Sequence, residues 1–241
     1  MEISELKNRI IESFSGTKED LQDVLKLVES SRSVFPFNEI EFLVCSMIEK
    51  GGLTYNQYIE LRSEYIKQNP NLWIFEISSP IGFGDKFAHN YLCEICPKLQ
   101  KPSKILDSNF KGEYDLWLDG ITIEVKASRA VDSDSNEPLY LKALARGSKK
   151  KFLMNFQQLK PQCCDVFIWV AVFRDDILLW VISSKDVKNN PVYSEGQHRG
   201  NMGNEGQLNI RHNNINVLSE YELKGNNLED AIRKAAKRNK Y

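Results

Sequence analysis

The spacing of apolar residues along the chain predicts a helical N-terminal region followed by a mixed α/β region. Apolar side chains recur every three or four residues through residues 1–68, which is the period of amphipathic helices. Thr17, with Asp20 three residues later, and Thr54 stand where helix caps are expected. The pattern therefore predicts four capped or punctuated helices before the character of the chain changes.

After residue 70 the pattern alternates between the helical period and the two-residue period of β-strands. Helices are predicted over Phe83–Cys96, Lys149–Lys160 and Leu228–Lys240, and strands over Lys104–Ser108, Asp165–Phe173 and Ile177–Ile182. The last two strands are expected to pair, because only three residues separate them and the first is a nearly continuous apolar run. The chain is therefore expected to form a helical region over residues 1–70 and an α/β (α+β) domain over residues 71–241.

Asp119 and Gly120 lie between two short runs in which apolar and polar residues alternate. Such a pair is typical of a two-residue hairpin turn, because both of its positions need positive φ angles. Counting outwards from this turn, one residue per strand at a time, places Asp115 directly opposite Glu124. The sequence thus predicts two opposed carboxylates on neighbouring strands.

Alternation also assigns the two faces of this hairpin. The residues expected to face the core are apolar: Leu116, Leu118, Ile121, Ile123 and Val125. Asp115, Glu124 and Lys126 share the opposite face, where opposed like charges destabilise the pairing of the strands. A divalent cation bound by both carboxylates would relieve this repulsion, since hard cations take oxygen ligands. A solvated face with scattered charges is the alternative, but it gives no reason to oppose two acids beside a lysine.

Composition sets broad limits on the kind of protein. The 241 residues are 41% hydrophobic and 27% charged, which is ordinary for a soluble globular protein. The formal net charge of −1 provides no general attraction for nucleic acid, so such attraction must come from local patches. No apolar run approaches the roughly 20 residues that cross a bilayer, and the N-terminus lacks the pattern of a signal peptide. A cytoplasmic location without membrane contact is expected.

Five cysteines in a chain without a secretion signal indicate reduced thiols rather than disulfides. Cys93 and Cys96, with Cys163 and Cys164, could in principle supply four thiolates to zinc. Adjacent cysteines form an unusual half-site, and Cys164 begins an apolar strand-like run. Buried free thiols are therefore the favoured interpretation.

The hairpin with Asp115, Glu124, Val125 and Lys126, after one helix and before another, resembles the catalytic core of the PD-(D/E)xK nucleases. Within that superfamily it is similar to the type II restriction endonucleases. The resemblance covers roughly residues 80–183, and Tyr114 stands where the family has a proline. It implies a restriction-endonuclease-like core, in which helices flank a central mixed β-sheet, with the N-terminal helical region as an addition.

The resemblance also implies roles for individual residues. Asp115 and Glu124 are expected to bind Mg²⁺, with the carbonyl of Val125 completing the protein ligands and Mn²⁺ as a substitute. Lys126 is expected to reach the attacking water and the charge that develops on the phosphate. Whether one or two metal ions bind stays open.

Many members of the family add an acidic residue from the helix that precedes the hairpin. Asp85 and Glu94 flank the apolar stripe of the predicted helix on opposite sides, so helical phase alone leaves both open. Similarity of the segment Phe83–Ala88 to the start of the family's helix favours Asp85 as a catalytic residue. Either acid could instead be an ordinary surface residue.

Basic and polar residues downstream of the hairpin predict contacts with DNA. The stretch Pro138–Cys164 has no acidic residue and six basic ones: Lys142, Arg146, Lys149, Lys150, Lys151 and Lys160. The three consecutive lysines are the expected phosphate contacts, and a solvated helix end is the alternative. The Asn- and Gly-rich stretch over residues 189–216 carries side-chain types that read base edges: His198, Arg199, Asn201 and Arg211. A mobile connection is the alternative for that stretch.

These features predict a Mg²⁺-dependent, sequence-specific double-stranded DNA endonuclease of the restriction type, acting as a homodimer. A structure-specific or repair nuclease of the same fold is the first alternative. A non-catalytic DNA-binding or interaction module is the second. The N-terminal helices are expected to serve dimerisation or DNA contact, and a helix-turn-helix reader built from the third and fourth helices is a less favoured interpretation.

Overall fold

The computed structural model describes residues 3–30, 36–77, 82–196, 205–225 and 227–239. These residues belong to two compact units. The first unit takes its residues from Met1–Glu76, Ser135–Ser148 and Arg174–Asp176, and the second from Ile77–Asp134, Lys149–Phe173 and Ile177–Tyr241. Two short segments from the later part of the chain thus belong to the same unit as the N-terminal helices. The sequence predicted a helical region over residues 1–70 alone, without these two segments.

The first unit is helical. It contains α1 (Ile3–Glu12), α2 (Lys18–Ser30), α3 (Pro36–Glu49), α4 (Tyr55–Gln68) and a 3₁₀ helix (Leu72–Glu76). The prediction of four helices is confirmed, and so are both predicted caps. The hydroxyl of Thr17 accepts the N–H of Asp20 at 3.2 Å, and Thr54 forms a reciprocal capping box with Gln57. Neither these helices nor any other helix that the structure describes is long and apolar enough to cross a membrane.

Hydrogen bonds and an ion pair join the separate segments of the first unit. The N–H of Arg174 donates to the carbonyl of Leu144 at 3.0 Å, and the N–H of Asn71 donates to the carbonyl of Arg174 at 3.0 Å. The guanidinium of Arg146 lies 2.7 Å from the carboxylate of Asp176. Residues 174–176 are therefore bonded both to the end of the helical region and to the segment 135–148.

The second unit contains two β-sheets. Its elements are, in chain order, a π-helix (Gly82–Ala88), α5 (His89–Ile95), β1 (Leu116–Leu118), β2 (Ile121–Arg129), β3 (Leu153–Leu159), β4 (Val166–Val172), β5 (Ile177–Ser183), α6 (Ser184–Lys188), β6 (Tyr193–Glu195), β7 (Gly206–Arg211), a second 3₁₀ helix (Ile215–Leu218) and α7 (Leu228–Asn239).

The larger sheet has the strand order β1-β2-β4-β5, and the smaller sheet has the order β3-β7-β6. Strands β2 and β4 are parallel, while the other pairs are antiparallel. The π-helix packs against β2, and α7 packs against β4 and β5. The unit is a mixed α/β fold in which helices flank a mixed sheet, as expected from the sequence.

The centre of the larger sheet forms the core of the second unit. Every residue of β4 is buried, and β5 is buried after its first residue. This confirms the prediction of a buried strand that pairs with the strand after it. The smaller sheet packs on the larger one through Phe156, whose ring stacks on Trp169 at 5.5 Å and meets Trp180 edge-on at 6.4 Å.

Two predicted elements are wrong. The segment expected to be a helix over Lys149–Lys160 contains strand β3 instead. The apolar residues of this segment fit the stripe of an amphipathic helix. In the structure, however, Met154 and Phe156 are buried, alternate with less buried neighbours and pair with residues of β7, as in a strand. The strand expected over Lys104–Ser108 is a turn.

The hairpin of β1 and β2 has the predicted register. The ladder begins with Leu118 opposite Ile121 and continues outwards to Leu116 opposite Ile123. The predicted pairing of Asp115 with Glu124 lies beyond this ladder, and there the N–H of Asp115 donates to the carbonyl of Ile123. Asp119 with φ 46° and Gly120 with φ 89° form the two-residue turn, and both lie in the left-handed region that such a turn needs. The turn that was inferred from two residues of sequence is therefore confirmed.

Replacing Gly120 by alanine is expected to destabilise the protein, because a side chain strains the left-handed backbone at φ 89°. The expected loss is about 1 kcal/mol in the free energy of unfolding, measured by urea denaturation. Gly147→Ala is the matched control, since a methyl group there meets no described atom within 4 Å and φ is not left-handed. Equal losses from the two substitutions would contradict the importance of the turn.

Candidate active site

The hairpin buries its apolar face and brings three charged side chains together on the other. The face towards the core is formed by buried apolar residues: Leu116, Leu118, Ile123 and Val125. On the opposite face the side chains of Glu124 and Lys126 are 16% and 21% exposed, and that of Asp115 is 28% exposed. Four of the five residues predicted to face the core are thus buried, and the fifth, Ile121 beside the turn, is partly buried. Charges buried to this extent do not fit a solvated hairpin face.

Asp115 lies directly before β1, and its carboxylate is held by the facing strand. Its main-chain N–H donates to the carbonyl of Ile123 at 2.9 Å, while its Oδ2 accepts the N–H of Val125 at 2.8 Å. The same Oδ2 lies 3.8 Å from Nε2 of His89, the first residue of α5. Burial pushes the pKa of Asp115 upwards, but His89, the Val125 N–H and the charge of Lys126 together lower it below its usual value. Asp115 is therefore ionised at neutral pH.

Glu124 is in the opposite electrostatic situation. Nζ of Lys126 lies 2.6 Å from its Oε1, which favours the ionised form. Burial nevertheless raises the pKa of Glu124 to about 7, and the negative charge of Asp115 adds to the rise. Two neighbouring carboxyl groups thus have pKa values that are pushed apart by their surroundings. Such separation is frequent at catalytic sites.

The sequence pattern does not single out His89. Its side chain is 14% exposed and belongs to a helix that is entered from a π-helix, whose wider turn shifts the phase of the residues that follow. Counting 3.6 residues per turn from Phe83 therefore misplaces the faces of this segment. One signal could have found the residue: the chain has three histidines, and this one lies on the helix predicted before the hairpin.

The acidic residue expected from the preceding helix stays a prediction. The helix expected over Phe83–Cys96 is present as the π-helix followed by α5. Glu94 is exposed near the end of α5, and the side chain of Asp85 lies outside the described residues. His89 is the residue of this segment that the structure places beside Asp115.

The carboxylates of Asp115 and Glu124 determine which metal ion the site could hold. Within the described residues, no group of three or more His, Cys, Asp and Glu side chains is arranged to hold a metal ion. Asp115 and Glu124 nevertheless offer the oxygen ligands that Mg²⁺ takes, and Mg²⁺ commonly uses one or two carboxylates while keeping several waters. The carbonyl of Val125 follows Glu124 directly along β2. This donor set fits a hard divalent cation.

The basic residues downstream of the hairpin lie closer to acidic side chains than the sequence indicated. Lys150 lies 3.1 Å from Asp132, and Lys151 lies 3.2 Å from Asp134. Acids that are absent from the stretch Pro138–Cys164 are thus supplied to these two lysines by a segment before it. Both lysines are still largely exposed, at 60% and 78%, and surface pairs of this kind are weak.

Two of the other residues expected to contact DNA are described, and the ladder of β3 and β7 brings them near each other, because Arg211 is opposite Leu153, four residues after Lys149. Lys149 is exposed in the segment before β3, not on a helix. Arg211 is the exposed last residue of β7, and its main-chain N–H donates to the side chain of Asn214 at 2.6 Å. Three further residues lie outside the described residues: His198, Arg199 and Asn201. Contact of these groups with DNA stays a prediction.

The surroundings of the cysteines do not favour a zinc site. All five cysteines are free thiols. Burial raises the pKa of Cys164 to about 12, and its Sγ lies 3.5 Å from the hydroxyl of Ser184. Burial also raises the pKa of Cys93. The described His, Cys, Asp and Glu side chains also form no group of three or more that could hold a metal ion, so the four thiols are not brought together as a zinc site needs.

Two cavities lie elsewhere in the second unit. One of about 560 Å³ is lined by residues between 184 and 195, by Pro161 and Gln162, and by Glu205 and Asn239. The other, of about 380 Å³, is lined by parts of β5 and α7 and by the segment between them. Neither lining contains a residue of the charged cluster on the hairpin. The cluster, with its largely buried charges, is therefore the candidate active site.

No family assignment follows from known proteins. Neither models of protein families, nor curated proteins, nor solved structures match this chain. The function is therefore inferred from the geometry and electrostatics of the second unit.

Glu124→Gln is expected to stabilise the protein in metal-free buffer at pH 8 more than at pH 5. The pKa of Glu124 is about 7 in the folded protein, against 4.5 for an ordinary glutamate, so folding takes up a proton between these values. Wild-type stability therefore falls as pH rises from 4.5 to 7, and the glutamine variant lacks this fall. The measurement is the difference in melting temperature between variant and wild type across this range.

Glu113→Gln is the matched control, because Glu113 is an exposed acid close to the same hairpin. If the effect of Glu124→Gln on the melting temperature depended on pH no more than the effect of this control, the raised pKa of Glu124 would be contradicted.

Proposed function

We propose that this chain is a Mg²⁺-dependent DNA endonuclease of the PD-(D/E)xK type. The observation that carries the proposal is the buried cluster of Asp115, Glu124 and Lys126 on one face of the hairpin. The cluster combines two oxygen ligands for a divalent cation with an ammonium group beside them. Phosphodiester hydrolysis needs a polarised nucleophile and a means of stabilising charge on the phosphate, and these groups supply both.

The arrangement of the larger sheet supports a restriction-endonuclease-like core. Strand β2 carries Glu124 and Lys126 and runs parallel to β4, which is buried along its whole length. The hairpin is thereby anchored to the rigid interior of the unit. Functional groups on anchored strands are held more precisely than groups on loops, as catalysis requires.

The residues proposed to hold Mg²⁺ are Asp115, Glu124 and the carbonyl of Val125, with Mn²⁺ as a substitute. When bound, the cation polarises the attacking water and offsets charge on the scissile phosphate. His89 acts as a positioning residue, because together with the Val125 N–H it fixes the direction of the Asp115 carboxylate. The carboxylate is thus oriented by the protein before any cation arrives.

Lys126 is proposed to act on the reacting groups themselves. Its ammonium group lies 2.6 Å from Glu124 Oε1 and is 21% exposed, so a phosphodiester can approach it. From this position it can orient the attacking water and donate to an oxygen of the phosphate as negative charge builds up there. Glu124 would hold a cation in its ionised form, so it would have to lose the proton that it holds near pH 7.

The proposed substrate is double-stranded DNA, cut at a specific sequence by a homodimer, as in a type II restriction endonuclease. The lysines at positions 149–151 support contact with DNA, because they are consecutive, exposed and directly before β3. A homodimer is proposed because a symmetric DNA site is matched by a two-fold symmetric protein. A structure-specific nuclease would use the same charged cluster on branched DNA.

Purified protein is expected to cut plasmid DNA into discrete fragments in the presence of Mg²⁺ or Mn²⁺. Asp115→Asn and Lys126→Ala should each lower the cleavage rate by about a hundredfold or more, since each removes a group that acts in the transition state. Binding of DNA in Ca²⁺, measured by gel shift, should persist in both variants. Gel time courses measure the rate.

Glu113→Gln serves as the control for these variants and should cut at the wild-type rate. Preferential cleavage of branched over linear duplexes would assign the protein to the structure-specific class. Failure to cut unmethylated DNA from diverse sources with any divalent cation would rule out a nuclease.

Calorimetry is expected to show one or more Mn²⁺ ions binding with an affinity that rises from pH 6 to pH 8. The reason is that Glu124, with a pKa of about 7, must lose its proton. Glu124→Gln should abolish this binding, and His89→Ala should weaken it by about ten- to a hundredfold, as for other residues that orient a ligand. Binding that is unchanged in Glu124→Gln would instead indicate a non-catalytic module.

A further inference from the structure

The loop between α5 and β1 carries an apolar side chain that is almost fully exposed. Ile105 is 96% exposed, whereas the other exposed large apolar residues of the described chain range from 38% to 64%. A side chain in this position buries no apolar surface and adds nothing to the hydrophobic core. The packing of the second unit therefore gives no reason for an isoleucine at this place.

Hydrogen bonds fix the backbone around Ile105. The main-chain N–H groups of Leu106 and Asp107 both donate to the carbonyl of Ser103, at 3.1 Å and 2.9 Å. These bonds close a turn that contains Ile105. The exposed side chain is thus held on an ordered support before any partner binds, which lowers the entropy that binding costs.

Both ends of the loop are attached to the hairpin that carries the charged cluster. Before the loop, Gln100 and Trp117 exchange two main-chain hydrogen bonds, of 3.0 Å and 2.8 Å. After the loop, Tyr114 directly precedes Asp115 in the chain. The loop and the cluster also belong to the same compact unit. The position of the loop relative to the cluster is therefore fixed by β1.

Trp117 lies on the same face of the hairpin as the charged cluster. It is opposite Thr122 in the ladder of β1 and β2. Directly opposed residues share a face, and alternation along β2 places Thr122 on the face of Glu124 and Lys126. Contacts with the side chain of Trp117 are therefore contacts on this face.

Tyr114 connects the loop to this face. Its ring stacks on that of Trp117 at 6.2 Å, and its hydroxyl donates to the carboxylate of Asp107 at 2.9 Å. Burial and the bond to Asp107 raise the pKa of Tyr114 to about 12, so the hydroxyl remains a donor at neutral pH. Asp107 is two residues from Ile105, so their Cα atoms lie within about 7 Å of each other. The turn with Ile105 is thus supported from the charged face.

Positive charge surrounds the exposed isoleucine. Lys98, just before the loop, forms an ion pair with Glu229 at 3.0 Å. Three lysines within the loop are exposed and form no ion pair with another residue of the described chain: Lys101, Lys104 and Lys111. The loop therefore presents one apolar side chain among cations that remain available to an anionic partner.

Duplex DNA fits this combination better than a protein partner does. Lysine is depleted from protein interfaces, and protein partners bind contiguous apolar patches rather than one isolated side chain. Proteins that bend DNA, by contrast, insert single apolar residues such as isoleucine between base steps, while basic residues contact the phosphates. One turn of duplex is about 34 Å long, so a duplex bound at Asp115 is long enough to reach the loop.

We propose that Ile105 is a wedge that enters duplex DNA between two base pairs near the scissile phosphate. The lysines of the loop hold the phosphates beside the opened step. This role rests on the DNA substrate proposed above and adds a source of sequence preference. Pyrimidine–purine steps unstack most easily, so a wedge favours DNA that has such a step at the right distance from the cut.

The first test measures affinity for DNA with full-length protein in Ca²⁺, by fluorescence anisotropy at several salt concentrations. The probe is a short duplex that spans a site cut by the wild type, or a duplex of mixed sequence if the wild type cuts none. Ile105→Ala should weaken binding by about tenfold, because an apolar contact is lost. Its melting temperature and the salt dependence of binding should match those of wild type, since the residue is exposed and uncharged.

Two further variants separate the wedge from the charge around it. Lys104→Gln should reduce the slope of log Kd against log salt by about one, because one phosphate contact is lost. Ile95→Ala removes a 39% exposed isoleucine outside the loop and is the control, which should bind DNA within about twofold of wild type.

The second test detects the opened base step directly. The fluorescence of 2-aminopurine rises when it unstacks, so it is placed at successive positions of the same duplex. Wild type and Lys104→Gln should raise the fluorescence at one step, and Ile105→Ala should not. A wild type that raises it at no position would overturn the wedge.

The outcomes also separate this inference from the nuclease function. If wild type cuts DNA and Ile105→Ala binds DNA equally well, the wedge is overturned while the nuclease function stands. If Ile105→Ala weakens self-association in analytical ultracentrifugation and leaves DNA binding unchanged, the loop is a protein contact and the wedge is likewise overturned. If wild type opens a base step through Ile105 but cuts no DNA with any divalent cation, the nuclease function fails and the wedge stands.

Discussion

The two-residue turn at Asp119 and Gly120 determines the register of the hairpin, and the register decides on which face each residue of β1 and β2 lies. A slip of one residue would turn Glu124 into the core and expose Ile123. The neighbouring strand β4 is completely buried, so the interior accepts only the apolar set. Turn chemistry and core packing thus enforce the same register, and the charged cluster depends on both.

The cluster is held together at a cost in electrostatic free energy. Asp115 and Glu124 are largely buried beside one another, and like charges in such a place destabilise the fold. Lys126 and His89 offset part of this penalty, and the rest appears as the raised pKa of Glu124. Sites that are prepared for a ligand commonly keep such a penalty, because the ligand removes it on binding. A divalent cation between the carboxylates would have this effect.

Features of the site that depend on neighbouring residues were accessible from the sequence, and features that depend on distant ones were not. The position of Glu124 and Lys126 on the face opposite the apolar residues follows from counting a few residues from a turn. The sequence pattern does not predict that His89 lies beside Asp115, because the π-helix before His89 changes the helical phase. The sequence shows only positive charge around Lys150, because its neighbour Asp132 comes from another segment of the chain.

The sequence by itself determined the N-terminal helices, the helix caps, the hairpin register and the buried strand β4, because each is encoded by periodicity and turn residues within a short window. Only the tertiary structure decided that the segment around Phe156 is a strand, since its apolar spacing fits a helix as well as a sheet and β7 selects between them. The tertiary structure also brought His89 to Asp115, and it brought Phe156 of the smaller sheet to Trp169, the ladder partner of Lys126. Local patterns specify conformation, whereas long-range packing specifies which surfaces meet.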